Sequence, residues 1–450
     1  MDDATNAPVG GEARVVAWRT LALDRLRESR AMPHVLALGV FAAAAAWLLR
    51  RALFTSALPA GTDMLGFIAR ARQNGTVDTA LSLWAPNNLG APRQYTLDNL
   101  LGLLTAATGD PVVTVKALVF LTLLASGAFT YLLALRWYER RSAAVLAGLL
   151  YMTSQSVLSR WGTGVLNVEI AIAFAPLLVY LWVGCVERFS LPRSISLALA
   201  VSGVTFVRPD MTFFVAPFLG LFVVVRMIVS PQPRRTLRNA TVTFAVVVVT
   251  GIAVGMAQIV PYVAGVRAQW LSADRLFDLD QAVARSVDAY ASLLGFAREI
   301  GYLAFTGQQT WATHPWLPFW AYAACASVIV ALAFGVLARL RDERTLFLLL
   351  AALLGTFLAK GVRDPLGGTY LWAIENVPVF GNLRATNRWL IVQALAYSVL
   401  GALAFDLLAR RAARLPRRWR PLAGAGLAAL LVAIVLPVAP TLLEGFRTWR

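Results

Sequence analysis

The sequence is poor in charged residues, cysteine, histidine and lysine. Charged residues make up 14% of its 450 positions, whereas about a quarter is usual in soluble proteins. The two cysteines, Cys185 and Cys325, both fall inside hydrophobic runs, so they predict neither a disulfide framework nor a cysteine metal site. No HExxH, P-loop, GxSxG or dinucleotide-binding motif occurs in a fitting context. These absences exclude a disulfide-stapled domain and argue against an enzyme driven by a nucleotide.

Long hydrophobic runs dominate the rest of the chain. Hydrophobic residues make up 58% of the sequence, and the mean hydropathy is +0.65. A bilayer leaves backbone N–H and C=O groups no partners except each other, and a spanning helix needs about 20 apolar residues. The sequence therefore predicts an all-α, polytopic transmembrane helical bundle. The 11 predicted spans are residues 33–53, 112–135, 143–158, 168–186, 194–207, 211–229, 240–262, 316–338, 344–360, 388–409 and 421–440.

Arginine clusters lie before the first of these spans and in alternate loops between the others. They lie at residues 25–27, 136–141, 234–235, 339–341, 410–411 and 417–418. Short loops rich in Lys and Arg stay on the cytoplasmic side of a membrane, so the clusters predict a cytoplasmic N-terminal tail over residues 1–32. The same topology explains the formal net charge of +17, with anionic lipid headgroups and not nucleic acid as the expected contact.

The long loops fall on the opposite, external side. They are predicted at residues 54–111, 263–315 and 361–387, within a transmembrane domain at 33–440 that a short external tail at 441–450 follows. Long loops on one face indicate where binding takes place, whereas the cytoplasmic loops are too short to hold a nucleotide-binding domain. We therefore expect an external working surface in a multi-pass protein of the plasma or inner membrane.

Asp63 is the first candidate site residue, because it lies just beyond the first predicted span. The apolar positions 64, 65, 67, 68 and 71 favour one face of a helix, which we expect to lie on the membrane surface as far as Gly75. Thr62 or Asp63 is the expected N-cap of that helix. Alternatively, Asp63 meets a substrate whose lipid tail stays in the bilayer, since functional carboxylates cluster at sites of this kind.

Three more residues of the same loop have a structural and a functional interpretation. Trp84 and Tyr95 fit either the interfacial aromatic belt or a platform that stacks on a sugar ring. Asp98 begins a predicted helix, where capping is its expected role.

Three charged residues lie near the external ends of other predicted spans. Glu169, at the start of the fourth span, either stabilises the helix N-terminus or faces a cavity. Arg208 and Asp210 either pair with each other or bind a phosphate and a sugar hydroxyl, respectively. Charges at membrane depth are costly and usually face a bundle interior, so we predict a functional role for Arg208 and Asp210.

A second arginine motif precedes the tenth span and contains Arg384, Asn387 and Arg388. The two arginines are four residues apart, so they share a face if the segment is helical. Two guanidinium groups suit a phosphodiester or pyrophosphate, although anchoring to lipid headgroups has the same pattern. His314, at the end of the second long loop, is a further candidate for substrate binding, but a lone loop histidine is more often incidental.

This layout resembles the GT-C class of integral-membrane glycosyltransferases. The segments 61–66 and 380–389 are similar to the YfhO-like branch and to the membrane half of actinobacterial arabinofuranosyltransferases. The resemblance implies an enzyme that moves a sugar from a polyprenyl-phosphate donor to a cell-envelope glycan or protein outside the cytoplasm. It also implies that Asp63 is the general base or a metal ligand.

Two departures from that class bear on cofactors and partners. Many relatives have two adjacent acids in the first external loop, whereas here Met64 follows Asp63, so the resemblance leaves a divalent metal (Mg²⁺ or Mn²⁺) open. Many relatives also carry a large external domain after the last span. We expect such acceptor-binding modules to be missing here or to come from a separate carbohydrate-binding partner.

Competing hypotheses come from other protein classes. A lipid-linked sugar flippase or transporter would use Arg208 and Asp210 along its path, although transporters usually place charges at mid-span. An O-antigen ligase or polymerase would use the second long loop with His314, and full activity of His314→Ala would argue against it. A non-catalytic assembly scaffold is the remaining alternative.

Overall fold

The fold is known from a computed structural model. It describes residues 31–55, 62–81, 84–85, 91–92, 96–138, 140–154, 157–158, 165–265, 337, 339, 341–377 and 386–435. Every structural statement below concerns these residues. The predicted sites at His314, Arg384 and Tyr95 lie outside them, as does nearly all of the predicted span at 316–338.

The described part of the chain is almost entirely helical, as predicted. A two-residue antiparallel pair, β1 (Trp84–Ala85) and β2 (Ala91–Pro92), is the exception. A 3₁₀ helix spans Thr386–Trp389. The α-helices are α1 (Met32–Leu48), α2 (Arg50–Phe54), α3 (Thr62–Gln73), α4 (Val77–Leu81), α5 (Thr96–Thr108), α6 (Pro111–Tyr138), α7 (Arg141–Met152), α8 (Leu166–Glu187), α9 (Leu191–Val207), α10 (Pro209–Val229), α11 (Pro233–Gly265), α12 (Glu343–Lys360), α13 (Gly367–Asn376), α14 (Leu390–Arg414) and α15 (Arg420–Val435).

Five of the described helices are long and apolar enough to cross a membrane: α6, α8, α10, α11 and α14. Helices α1, α7, α9 and α15 are apolar but shorter. The chain is thus a helical membrane protein, and the count of 11 spans stays a prediction. Every predicted span outside 316–338 overlaps a described helix, because long apolar runs with no charge have few alternatives to a helix.

Two helices, α8 and α14, form the centre of the bundle. In their most apolar windows 83% and 78% of the residues are buried, against 28% for α10 and 17% for α11. Helix α8 packs against α6, α9, α10 and α11, while α14 packs against α7 and α12. The outward faces of α10 and α11 are apolar, as in Phe244 and Val249, and a bilayer is the solvent that suits such faces.

Helices α1, α6 and α7 approach one another closely around two glycines. A Cβ on Gly148 of α7 would lie 2.6 Å from the ring of Phe41 in α1 and 2.7 Å from the carbonyl oxygen of Gly127 in α6. Phe41 is itself fully buried. Small residues at such contacts are what allow membrane helices to pack by van der Waals contact.

Pro176 interrupts the hydrogen bonding inside α8, because proline has no N–H to donate to the carbonyl four residues earlier. That carbonyl belongs to Ile172. The hydroxyl of Tyr151, from α7, donates to it at 3.0 Å, and Tyr151 is fully buried. A side chain of one helix thus satisfies the acceptor that proline leaves in another.

The arginine clusters form ion pairs with acids on neighbouring helices. Glu187, the last residue of α8, pairs with Arg136 of α6 at 2.6 Å and with Arg344 of α12 at 3.7 Å. Arg344 also donates to the carbonyl of Trp137 at 2.8 Å. These contacts join the C-terminal ends of α6 and α8 to the start of α12.

Two further acids complete this end of the bundle. Arg226, near the end of α10, pairs with Glu343 at the start of α12. Asp406 of α14 pairs with Arg140, just before α7, at 3.1 Å and with Arg410 of its own helix. We call this end, where α6, α8, α10 and α14 all finish, the arginine end; it is the end that the sequence predicts to be cytoplasmic.

The helix predicted after Asp63 is present as α3, and its apolar face is buried in the protein. Met64, Phe67 and Ala71 are buried in the main hydrophobic cluster of the protein, and α3 packs against α5 and α6. Leu65, expected on the same face, is 55% exposed. The apolar face of α3 thus packs against α5 and α6, and the position of this helix on the membrane surface stays a prediction.

Gly148→Ala is expected to destabilise the protein by about 1–3 kcal/mol, because the new methyl group meets a ring and a backbone carbonyl. The thermal unfolding midpoint in detergent measures the effect. Gly203→Ala on α9 is the control, since no atom lies within 4 Å of a Cβ at that position. An alanine there is neutral or mildly stabilising in a helix. Equal midpoints for the two variants would contradict the close packing.

Tyr151→Phe is expected to cost about 1–3 kcal/mol, because it leaves the Ile172 carbonyl buried without a donor. Adding Pro176→Ala restores a backbone N–H for that carbonyl. The double variant is therefore expected to recover most of the lost stability, and a double-mutant cycle on unfolding midpoints measures the coupling. Strictly additive effects would show that hydroxyl and proline act independently.

Candidate functional site

The predicted site residues lie on elements at the end of the bundle opposite the arginine end. Helices α8, α10 and α14 finish at the arginine end, so they begin at the opposite end. Glu169 lies in the first turn of α8, Asp210 is the second residue of α10, and Arg388 lies two residues before α14. The sequence predicted that these residues share one side of a membrane, and the helix directions bring their elements to one end.

Asp63 is carried to this region by α3. The helix begins at Thr62, so Thr62 and Asp63 are its first two residues and not its N-cap. A carboxylate in a first turn is favoured by the helix dipole. Helix α3 contacts α8, the helix that carries Glu169. The side chain of Asp63 lies outside the described residues, so its partners stay a matter of prediction.

Glu169 is buried in the protein, with 1% of its surface exposed. It is the fourth residue of α8 and Val165 is the N-cap, so Glu169 stabilises the first turn without capping it. Its position inside the bundle agrees with the predicted interior-facing role. A buried carboxylate is costly unless the protein satisfies its charge, so this acid is a strong candidate for function.

The corner that contains Arg208 is a one-residue link between α9 and α10. The backbone N–H of Arg208 donates to the carbonyl of Val204 at 2.8 Å, and the carbonyl of Arg208 accepts from the N–H of Met211 at 3.1 Å. The hydroxyls of Thr205 and Thr212 lie 2.8 Å apart across the corner. These bonds hold the partly buried Arg208 at the end of the bundle. The predicted pair with Asp210 is untested, because the Asp210 side chain is not described.

Arg388 is buried at 8% exposure, and its guanidinium carbon lies 5.8 Å from the ring centre of Phe214 on α10. Such burial does not suit the headgroup-anchoring alternative, in which the charged group would reach water at the interface. The described residues of this motif, 386–389, form a 3₁₀ helix. The shared face of Arg384 and Arg388 was predicted for an α-helix, and Arg388 does not lie in one. The side chain of Asn387 is not described.

An aromatic cluster beside Arg388 was missed by the sequence-based reasoning. Trp389 is fully buried, with its ring centre 4.7 Å from that of Phe214 and 5.9 Å from that of Phe218. Its Nε1–H donates to the hydroxyl of Tyr370, on α13, at 3.1 Å. Burial raises the pKa of Tyr370, so the phenol stays neutral. The cluster ties α13 and the 3₁₀ helix to α10, and it sets the position of the neighbouring Arg388.

Two charged residues at this end have roles within the fold. Asp98, expected to cap a helix, is the third residue of α5 and pairs with Arg70 of α3 at 3.5 Å. It therefore holds α3 against α5. Lys360, which drew no attention in the sequence, is buried and donates to the carbonyls of Arg363, at 2.6 Å, and Pro365. It fixes the turn between α12 and α13.

A metal site is not apparent in the part of the chain described here, where no three His, Cys, Asp or Glu side chains come together. The side chains of Asp63 and Asp210 are not described. Of the two aromatic residues that fit either the interfacial belt or a sugar-stacking platform, Trp84 lies in β1 and its side chain is not described.

Comparison with known proteins leaves the chain without a match, both among protein-family models and among curated proteins.

Tyr370→Phe is expected to lower the unfolding midpoint, by the equivalent of about 1 kcal/mol, because Trp389 loses its hydrogen-bond acceptor. Trp372→Phe on the same helix is the matched control, since Trp372 is 60% exposed. The midpoint in detergent is the measurement. A Tyr370→Phe variant as stable as wild type, or a control equally destabilised, would show that the bond does not hold α13 to the bundle.

Proposed function

We propose that the protein is a membrane glycosyltransferase of the GT-C type, which transfers a sugar from a polyprenyl-phosphate donor to an acceptor outside the cytoplasm. The observation that carries the proposal is the burial of Glu169 and Arg388 at the end of the bundle opposite the arginine end. Helix α3, which carries Asp63, also contacts α8, which carries Glu169. The orientation with this end outside rests on the arginine pattern.

Charge burial supports a reactive site at this end. Ionisable groups inside a membrane bundle are expensive, and they usually mark substrate or ion pathways. A guanidinium group suits a phosphate because its N–H donors match the phosphate oxygens. Carboxylates suit proton acceptance from a hydroxyl. One buried arginine with nearby acid-bearing helices is therefore a combination that fits a sugar phosphate and a hydroxyl acceptor.

The peripheral position of α10 supports a lipid-borne donor. Phe213 is 46% exposed on its outward face, while the next residue, Phe214, is buried and contacts Arg388. A lipid chain lying along the apolar outside of α10 would thus have its phosphate close to the level of Arg388. Arg208 lies just before the first residue of the same helix, and we assign it to the phosphate as a second arginine.

In the proposed reaction, the acceptor hydroxyl oxygen bonds to the anomeric carbon of the donor sugar. The bond between that carbon and the phosphate oxygen breaks, and its electron pair leaves with polyprenyl phosphate. Asp63 accepts the hydroxyl proton as general base. Arg388 and Arg208 stabilise the negative charge that develops on the phosphate. Glu169 holds acceptor hydroxyls or balances the arginine charge.

The test is a transfer assay in membranes with a panel of radiolabelled polyprenyl-phosphate sugars, with and without a chelator. A new glycosidic product from one donor supports the proposal, and the chelator arm decides on metal dependence. Movement of intact lipid-linked sugar across vesicles without a new glycosidic bond would favour the flippase alternative. A His314→Ala variant in the same assay tests the ligase alternative.

Asp63→Asn is expected to lower transfer by at least about 100-fold, which is the lower range for loss of a general base. The control is Asp78→Asn, since Asp78 is an exposed acid of the neighbouring helix α4. Size-exclusion profiles and unfolding midpoints report whether both variants are folded. Turnover of folded Asp63→Asn at the wild-type rate would remove Asp63 from the mechanism.

A further inference from the structure

The most basic segment of the chain is residues 410–420, which join the end of α14 to the start of α15 and which we call the α14–α15 turn. Six arginines lie within 11 residues, at positions 410, 411, 414, 417, 418 and 420. No Asp or Glu occurs from residue 407 to residue 443. The segment lies at the arginine end, because α14 finishes there. It therefore holds a local positive charge that its own sequence does not balance.

Other arginines at this end pair with acids of the protein, whereas Arg414, Arg417 and Arg418 form no ion pair within the described residues. Arg136, Arg226 and Arg344 each pair with a glutamate of a neighbouring helix. In the turn, Arg410 pairs with Asp406. The side chains at 411, 414, 417, 418 and 420 are exposed. Their charge is directed to the surroundings of the protein.

Apolar and aromatic side chains accompany these charges. Trp419 is 49% exposed, Leu415 38% and Leu422 65%. The guanidinium of Arg418 lies 5.8 Å from the ring centre of Trp419. Exposed tryptophan beside arginine at the end of apolar helices is the composition that suits the boundary between lipid chains and headgroups.

Helix α15 supports the same boundary between lipid chains and headgroups. It packs on α14, and nearly all of its first 13 residues are exposed or half-buried. An apolar helix with so little protein contact takes its remaining contacts from lipid. The basic turn lies where the headgroups of those lipids begin.

We propose that the α14–α15 turn is a binding site for anionic phospholipid headgroups, formed by Arg414, Arg417 and Arg418 with Trp419 at its edge. Phosphate oxygens accept from the guanidinium groups, and the negative charge of an anionic lipid complements a segment with no acid. Zwitterionic lipids lack that net charge and bind more weakly. The proposal does not depend on the glycosyltransferase activity.

Native mass spectrometry of the full chain, titrated with phosphatidylglycerol or phosphatidylcholine in detergent, tests the site. The triple variant R414Q/R417Q/R418Q is expected to bind phosphatidylglycerol at least about tenfold more weakly, since each arginine near an anionic surface contributes appreciably. The matched control is R234Q/R235Q/R238Q, which removes three exposed arginines from the first two turns of α11. It is expected to weaken binding by less than about threefold, because the α14–α15 turn is intact.

A charge-conserving variant, R414K/R417K/R418K, guards against misfolding and is expected to keep phosphatidylglycerol binding. Equal loss in both glutamine triples would overturn the proposal, because it would show that total charge and not this turn determines binding. Unchanged binding of phosphatidylglycerol to folded R414Q/R417Q/R418Q would also overturn it. Equal affinity of the wild type for phosphatidylcholine and phosphatidylglycerol would overturn it as well. The proposal would also fail if the protein retained bound nucleic acid in place of lipid.

Discussion

A bilayer makes an uncompensated charge expensive, and this constraint bears on the charged side chains at both ends of the described bundle. At the arginine end, Glu187 and Glu343 pair with arginines of neighbouring helices and so connect α6, α8, α10 and α12. At the other end, Glu169 and Arg388 are buried in the protein. The apolar segments of the helices between the two ends form the packed interior.

The two ends differ in what their charges do for the protein. At the arginine end, Arg136, Arg226 and Arg344 pair with acids of neighbouring helices, while the arginines of the α14–α15 turn are exposed to the surroundings. At the opposite end, Arg388 is buried beside the ring of Phe214, and Trp389 and Tyr370 hold that ring in position. A buried guanidinium group among apolar helices is the kind of group that usually marks a binding site. This asymmetry is the physical basis for assigning function to one end.

The positions of the helices were predictable, because long apolar runs such as those of α6 and α14 admit few structures in a bilayer. Which face of a helix meets which partner was not predictable in the same way. The stripe of Met64, Phe67 and Ala71 required an apolar neighbour, but its pattern did not distinguish protein from lipid. The contact between Trp389 and Tyr370 joins residues that no local pattern relates, and Asp98 owes its role to an arginine on another helix.

The proline in α8 has a consequence for the geometry of the reacting groups. Ile172 lies three residues after Glu169, so the acceptor that Tyr151 engages is on the same face of α8 and about one turn from the carboxylate. Without that hydroxyl, the segment before Pro176 would gain torsional freedom about the missing backbone bond. The hydroxyl of Tyr151 on α7 therefore helps to fix the position of Glu169 on α8, so the geometry at the end of the bundle opposite the arginine end depends on a phenol buried in the apolar interior.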